Sequence, residues 1–246
     1  MSAPFKIHTL DVKNQLQNYI FLLEDTRNQH TVVIDPTEHE LVINYCQQYQ
    51  LNVQQIWITH HHADHTNGIA GLITQYPTAQ VFAPALEFDN IPHAQIKLEH
   101  EQHFEFNGLD VNVILTAGHT LGHISYFIDA LDVVFCGDTL FVMGCGRVFE
   151  GTHEQMYHSL NRLSALPPRT AVYCSHEYTL GNAKFALHVE PDNVAIQQRA
   201  NEIEQLRQQN LPTIPSTIAL ELETNPFLRV LNVDEFSRLR QMKDDF

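Results

Sequence analysis

The segment Thr59-His60-His61-His62-Ala63-Asp64-His65 directly follows the short apolar run Gln55-Ile56-Trp57-Ile58. Imidazole and carboxylate groups are common protein ligands of divalent metal ions. On an extended chain His60 and His62 share one face, and Asp64 and His65 lie just beyond, where a turn can direct them to a second ion. The pattern therefore predicts a metal site at the end of a strand, and its spacing makes a chance match rare even in a chain with 16 histidines.

Three later strand-like runs are each followed closely by another potential metal ligand: His119, Asp138 and His176. Ligands commonly gather beyond the carboxyl ends of several strands in open α/β sheets. We therefore expect these three side chains to join the four of the first motif. We interpret His61 and His123 as residues that support ligands rather than as ligands themselves.

Seven side chains suffice for two ions if one carboxylate bridges them, and Asp138 is the natural bridge because the other six ligands divide evenly around it. The predicted sets are His60, His62 and His119 for the first ion, and Asp64, His65 and His176 for the second. Two ions about 3.5–4 Å apart lower the pKa of a bridging water from 15.7 toward about 7, so that hydroxide is the expected nucleophile. Asp64 and Asp138 are expected to orient it. Zn is the expected metal, with Fe and Mn as alternatives.

Short apolar, β-branched runs recur along the first 175 residues, each bounded by Asp, Gly, Asn, Pro or His, which is typical of strands. They cover residues 19–23, 31–34, 56–59, 81–83, 111–115, 125–128, 133–136 and 171–174. Asn107-Gly108 predicts a hairpin, and residues 38–49 and 154–163 have helical spacing. These patterns indicate an α+β fold in which helices cover sheets.

The strand pattern stops near residue 180. Residues 192–210 are polar with a sparse apolar stripe, which is typical of a surface helix, and Asp192 is its expected N-cap. Pro212 and Pro215 end this helix, and a last helix is predicted over 233–242. We therefore divide the chain into a metal-binding domain, residues 1–175, and a small C-terminal helical domain, residues 176–246.

Composition excludes several classes of protein. The formal charge of −15 disfavours nucleic acid and anionic lipid as partners. No run approaches the roughly 20 apolar residues of a membrane span, and the first residues lack the apolar core of a secretory signal. Four scattered cysteines indicate reduced thiols rather than a disulfide framework. We expect a cytoplasmic protein, and a monomer.

With H-x-H-x-D-H followed by later His, Asp and His, the sequence resembles the metallo-β-lactamase superfamily, which implies an αββα sandwich with the metal site at one edge. Further motifs are similar to the glyoxalase II (hydroxyacylglutathione hydrolase) family, and they span nearly the whole chain. They are Ala117-Gly118-His119-Thr120, Gly137-Asp138-Thr139-Leu140-Phe141, Gly144-Cys145-Gly146-Arg147, Ser175-His176-Glu177-Tyr178-Thr179 and Asn225-Pro226-Phe227-Leu228-Arg229.

The resemblance implies that glutathione binds between the metal domain and the helical domain. The contacts that it implies are Arg147, Phe149, Tyr178, Asn182, Arg240 and Lys243. The chain departs from the family at Arg147 and Phe149, where some members have Lys and Tyr. Phe149 has no hydroxyl, so a hydrogen bond from that position is lost. Arg240 and Lys243, three residues apart on a helix, would share one face and clamp the glycine carboxylate.

The implied activity is hydrolysis of S-(2-hydroxyacyl)glutathione, typically S-D-lactoylglutathione, to glutathione and D-lactate, the second step of methylglyoxal detoxification. Four alternatives are weaker. A glutathione-persulfide dioxygenase with a single iron needs neither the second ligand set nor the basic tail, and a two-metal nuclease is disfavoured by the −15 charge. Di-iron oxygen-reducing members have Glu where this chain has His62. A non-catalytic metal-binding module has no use for an open bridging position.

Overall fold

Two six-stranded sheets form the centre of the computed structural model, which describes residues 4–246. The first sheet follows the chain order β1 to β6, antiparallel from β1 to β3 and parallel from β3 to β6. Its strands are β1 Phe5–Asp11, β2 Tyr19–Asp25, β3 His30–Ile34, β4 Asn52–Trp57, β5 Gln80–Pro84 and β6 Ile96–Leu98.

The second sheet has the order β14-β13-β10-β9-β8-β7, and a separate short hairpin, β11–β12, pairs on its own. Strand β9 is antiparallel to both β8 and β10, and β10 is parallel to β13. Strands β8, β10 and β13 therefore run in one direction. The strands are β7 His103–Phe106, β8 Leu109–Leu115, β9 Ile124–Ile128, β10 Val133–Gly137, β11 Leu140–Phe141, β12 Gly144–Cys145, β13 Ala171–Cys174 and β14 Ser216–Thr217.

Eight helices flank the sheets in the described part of the chain. They are α1 His39–Tyr49, α2 Ala63–Thr66, α3 Ile69–Gln75, α4 His153–Ser164, α5 Thr179–Val189, α6 Val194–Gln208, α7 Ile218–Thr224 and α8 Val233–Asp245. Helices α1 and α3 pack on the first sheet, whereas α4 and the C-terminal helices share the core of the second. None of these helices is long and apolar enough to span a membrane.

The side chains of β2 show why the sheets are layered in this way. Tyr19, Phe21 and Leu23 point into the core between the two sheets, and Ile20 and Leu22 point into the core beneath the helices. Successive strand residues face opposite sides, so an uninterrupted apolar run requires cover on both. The predicted αββα sandwich with a C-terminal helical part is therefore confirmed.

The eight predicted strand runs lie on β2, β3, β4, β5, β8, β9, β10 and β13, although β4 ends at Trp57 rather than at residue 59. Two details of the sequence analysis were wrong. The N-cap of α6 is Asn193, whose side chain accepts hydrogen bonds from the first turn, rather than Asp192. The part after residue 180 is not purely helical, because β14 pairs antiparallel with β13 and extends the second sheet.

Helix α8 is attached to the rest of the protein through Phe236, which is fully buried. Its ring lies 5.9 Å from that of Phe227 and 6.2 Å from that of Tyr157 on α4. Such aromatic packing is a main contribution to the docking of a terminal helix whose outer face is polar.

We expect Phe236→Ala to lower the free energy of unfolding by about 3–5 kcal/mol, because it removes a large buried side chain and leaves a cavity. Leu231→Ala is the matched control, since Leu231 is 81% exposed and its truncation should change that free energy by less than about 0.5 kcal/mol. Urea denaturation of both variants measures the difference. Equal stability of the two variants would show that α8 is not held by this contact.

Candidate metal centre

The first predicted ligand set converges at the end of β4. His60 Nε2 lies 3.1 Å from His62 Nδ1, which in turn lies 3.0 Å from His119 Nε2. One nitrogen of each ring therefore faces a common point, a geometry that suits a cation held by three imidazoles.

The second predicted set lies beside the first. Asp64 Oδ2 is 3.4 Å from His65 Nε2 and 3.5 Å from His176 Nε2. Asp64 and His65 belong to α2, the single turn that follows the extended His60 to His62 segment. This turn directs the second half of the motif away from the first group, as the spacing predicted.

Asp138 lies between the two sets. Its Oδ2 is 3.4 Å from His119 Nε2 and 3.2 Å from His176 Nε2, and its Oδ1 is 3.7 Å from His65 Nε2. Burial by itself raises the pKa of this carboxyl, but the His176 and His65 imidazoles outweigh it and hold the pKa well below its usual range. One charged carboxylate thus faces ligands of both sets, as a bridging residue must.

Two buried atoms of this cluster have no hydrogen-bond partner among the described residues: His65 Nε2 and Asp138 Oδ1. Buried polar atoms without partners are rare in folded proteins and are costly. Both atoms face the interior of the ligand cluster, where a cation would satisfy them. The residues present therefore fit a dinuclear metal site.

Two of the candidate ligands, His60 and His62, have pKa shifts that favour the neutral form, whereas at His65 the Asp138 and Asp35 carboxylates outweigh burial and raise the pKa above its usual value. Burial lowers the pKa of His60 well below its usual value, and the neighbouring imidazoles act in the same direction. Burial and His119 likewise lower the pKa of His62. Metal ligation requires neutral imidazole, so the shifts at His60 and His62 favour the form that binds an ion.

Four of the five candidate histidine ligands bond through their second ring nitrogen to the surrounding protein, which orients the ring. The pairs are His60 Nδ1 with Thr59 Oγ1 at 3.0 Å, His65 Nδ1 with Asp35 Oδ2 at 3.0 Å, His119 Nδ1 with the Arg147 carbonyl at 2.7 Å, and His176 Nδ1 with the Leu16 carbonyl at 2.7 Å.

Asp35 is a functional residue that the sequence analysis missed. Its carboxylate accepts hydrogen bonds from the Thr59 backbone N–H at 2.8 Å, from the Thr59 hydroxyl at 2.7 Å and from Ser175 at 3.3 Å, besides contacting His65. Asp35 directly follows β3. The rule that identified Asp138, a carboxylate just past an apolar strand, could therefore have found it.

His61 and His123 use their ring nitrogens elsewhere. His61 Nδ1 lies 2.8 Å from Glu87, and His123 Nε2 accepts a hydrogen bond from the Asp138 backbone N–H at 3.0 Å. Gly137, with φ +50°, allows the backbone to lie against His123, because a Cβ at this position would be only 2.6 Å from His123 Nε2. These contacts are those of supporting residues, but His61 also lies in a group with His62 and Glu150 that could hold an ion, so its role stays a prediction.

A cavity of about 570 Å³ opens from the ligand cluster toward the C-terminal helices. His119 and Asp138 line one side of it. The six side chains predicted to bind substrate all line it as well: Arg147, Phe149, Tyr178, Asn182, Arg240 and Lys243. Other residues line the cavity that were not predicted to bind substrate, including Gln17, Phe141, Leu180 and Arg207.

The sequence analysis expected Arg240 and Lys243 to clamp a substrate carboxylate, but in the structure both side chains already donate hydrogen bonds to protein groups. Arg240 is buried and donates to the Cys145 carbonyl and to Asp244, each at 3.0 Å. Arg147 Nε also donates to Asp244 at 3.0 Å. Lys243 Nζ donates to the Gly181 carbonyl at 2.9 Å. Asp244 therefore joins the two arginines, a contact that links positions 97 residues apart.

The paired sheets with a His and Asp cluster at one edge define a class of metal-dependent proteins, the metallo-β-lactamase superfamily, whose family model matches residues 14–176. The solved structure of ETHE1 from Myxococcus xanthus has a TM-score of 0.74 and 26% identity, and the match covers 96% of this chain and 90% of that one. A metallo-β-lactamase from Staphylococcus aureus, 19% identical with a TM-score of 0.70, shares the fold over 99% of this chain and 72% of its own.

The rest of the chain narrows this class. The model described as "Hydroxyacylglutathione hydrolase C-terminus" matches residues 177–246. A hydroxyacylglutathione hydrolase from a Synechococcus species is 44% identical over 93% of this chain and 96% of its own length. One from Pseudomonas aeruginosa is 48% identical over 87% of this chain and 82% of its own. The chain therefore belongs to the hydroxyacylglutathione hydrolase family, and the resemblance predicted from the motifs is confirmed.

Asp138→Asn should lower the metal content of the purified protein below two ions per chain, because a neutral amide bridges two cations poorly. Elemental analysis of protein purified with added Zn measures this content. Asp110→Asn is the control, since Asp110 also contacts a histidine, His103 at 2.8 Å, but lies exposed and outside the site. Two retained ions in Asp138→Asn would contradict a shared Asp138.

Proposed function

We propose that this chain hydrolyses S-(2-hydroxyacyl)glutathione thioesters, such as S-D-lactoylglutathione, to glutathione and a 2-hydroxy acid such as D-lactate, the second step of methylglyoxal detoxification. One observation carries the proposal. A single cavity joins the ligand cluster, through His119 and Asp138, to the cationic side chains Arg147, Arg240 and Lys243. The curated relatives named above bear the name of this activity.

The reaction needs a nucleophile, a stabilised oxyanion and a leaving group. Two divalent ions held by the seven ligands would supply acidified water and polarise the thioester carbonyl. Asp64 and Asp138 orient the attacking water by accepting its hydrogen bonds. Attack at the carbonyl carbon forms the C–O bond, and the C–S bond then breaks. Thiol pKa is about 8.5, so glutathione thiolate departs without a dedicated acid.

The charge distribution supports an anionic substrate. The chain has 14 Lys and Arg against 29 Asp and Glu, yet four of the side chains that line the cavity are Arg or Lys. Burial lowers the pKa of Lys243, and the nearby Arg240 guanidinium lowers it further. A substrate carboxylate beside Lys243 offsets both effects. Glutathione carries one such carboxylate at each end of the tripeptide, on either side of the cysteine that bears its sulfur.

The uncharged cavity residues have distinct roles in the proposal. Tyr178 stacks on the candidate ligand His176 with ring centroids 4.7 Å apart, and it lines the cavity beside the ligand cluster. Phe149, 61% exposed, lies edge-on to His119 at 5.2 Å and offers an apolar surface. Asn182 donates to the Val142 carbonyl at 3.1 Å and so supports the cavity wall formed by the β11–β12 hairpin.

Several finer points belong to the same proposal. The set of five His and two Asp suits Zn, with Fe or Mn as alternatives. All four cysteines are buried and free, which fits a reducing compartment such as the cytoplasm.

The acidic charge argues against nucleic acid and membrane as partners. We propose that the enzyme acts as a monomer on a small-molecule substrate.

Lys243→Ala and the double variant Arg240→Ala/Lys243→Ala test the substrate. Contacts to the remote end of glutathione act equally in ground and transition states, so their loss should raise KM and leave kcat nearly unchanged. A charge-assisted hydrogen bond contributes roughly 1.5–3 kcal/mol, less when exposed, so kcat/KM should fall about 10–100-fold. Loss of thioester absorbance measures both constants.

Two controls make this test specific. Arg238→Ala, on the same helix but exposed and outside the cavity, should match wild type. A thioester that lacks the glycine carboxylate should be cleaved poorly by wild type and equally poorly by Lys243→Ala. If the double variant hydrolyses the glutathione thioester as well as wild type does, these cations do not bind the substrate.

A further inference from the structure

Glu87 is a buried carboxylate that belongs to neither ligand set and does not line the substrate cavity. It lies in the 3₁₀ turn Ala85–Asn90 after β5 and is only 4% exposed. Its Oε2 accepts hydrogen bonds from the His61 backbone N–H at 2.7 Å and from His61 Nδ1 at 2.8 Å. Its Oε1 accepts from the Gly122 backbone N–H at 2.7 Å and from the Thr120 hydroxyl. Glutamate is rarely buried this deeply without such partners.

The two oxygens of Glu87 bond to two different ligand loops. His61 lies within the first motif, between two candidate ligands, and Thr120 directly follows the ligand His119. The two loops come from different sheets, since the first follows β4 and the second follows β8. One carboxylate therefore sets the distance between them.

The second loop approaches Glu87 more closely than a side chain would allow. A Cβ on Gly122 would lie 2.7 Å from Glu87 Cγ and 2.7 Å from Leu86 Cβ. Such distances are shorter than real Cβ contacts, so the loop closes on Glu87 only with glycine at this position.

Glu150 extends the same network to His62. Its Oε1 lies 3.1 Å from His61 Nε2, and its Oε2 accepts a hydrogen bond from the Leu121 backbone N–H at 3.3 Å. His62 turns Nδ1 toward the other ligands of its set, and its outer Nε2 faces Glu150 Oε1 at 3.8 Å. His62 is the candidate ligand whose outer nitrogen the other supporting groups do not reach.

We propose that Glu87 is a positioning residue for the first ligand set, which it holds in place by tying the His61 loop to the Thr120–Gly122 loop, with Glu150 as an extension toward His62. This inference rests on the proposed function, since it takes His60, His62 and His119 to hold an ion. The second set is supported by other groups. Asn18 Nδ2 donates to Asp64 Oδ2 at 2.9 Å, and Asp35 contacts His65. Loss of Glu87 should therefore affect one ion and spare the other.

Glu87→Gln tests the proposal, because an amide has only one oxygen and its NH₂ group would face two of the four donors. We expect binding of one ion to weaken roughly 10–100-fold and binding of the other to stay unchanged. Chelator competition with Zn and the absorption spectrum of the Co(II)-substituted protein measure the two affinities. At limiting metal kcat should fall in parallel, whereas KM for the thioester should stay within about twofold, because the cations of the cavity are untouched.

Two further variants separate positioning from general stability. Gly122→Ala keeps the carboxylate but forces the loop away from it, and it should reproduce the selective loss. Glu24→Gln removes another carboxylate that bonds a buried histidine, His8 at 2.7 Å, far from the site, and it should leave both affinities unchanged.

The outcomes are distinct. Wild-type affinity for both ions in Glu87→Gln and Gly122→Ala would overturn the role of Glu87, as would equal weakening of both ions. If wild-type protein binds two ions and cleaves the thioester, the proposed function holds in either case. A wild-type protein that binds fewer than two ions or leaves the thioester intact would overturn the proposed function itself.

Discussion

The carboxylate of Asp138 is the charge on which the arrangement of this protein depends. It is almost completely buried, and taking an ion out of water costs several kcal/mol unless opposite charge surrounds it. Imidazoles from both ligand sets face its two oxygens. These imidazoles follow the ends of β4, β8 and β13, so one buried carboxylate brings together segments from both sheets.

Around Asp138, two further acidic residues from distant segments fix the positions of the ligand loops relative to one another. Asp35 bonds to the loop after β4 and to Ser175 after β13, and Glu87 bonds to the loops after β4 and β8. Each accepts hydrogen bonds from several donors, which satisfy its buried oxygens. Rings held at both nitrogens have little freedom, which preorganises a site for an ion.

The C-terminal part completes the site by adding positive charge to an otherwise acidic protein. Helix α8 places Arg240 and Lys243 along the cavity, and Phe236 anchors that helix against α4. Asp244 bonds to both Arg147 and Arg240, so that the two guanidinium groups stay close despite their repulsion. Chemistry and recognition are thus supplied by different parts of the chain and meet in one cavity.

Features that depend on residues close together along the chain, such as strands and the spacing of the ligand motif, were determined by the sequence alone. The spacing of His60, His62, Asp64 and His65 indicates an extended segment followed by a helical turn. The short apolar runs indicate strands buried on both faces, because successive side chains of a strand point to opposite sides. Strand β1 and helix α5 were missed because neither has the local pattern that identified the other elements. The first alternates exposed and buried positions instead of forming an apolar run, and the second is apolar on most faces and lacks periodicity.

Contacts between distant residues were decided only by the tertiary structure. Glu87 and Gly122 are 35 positions apart, and Arg147 and Asp244 are 97 apart. No local pattern distinguishes these acids from the many exposed ones in a chain with 29 Asp and Glu. The role of Glu87 follows from its burial and its donors, and that of Asp244 from its two arginine partners. These contacts arise only when the two sheets and the C-terminal helices pack together.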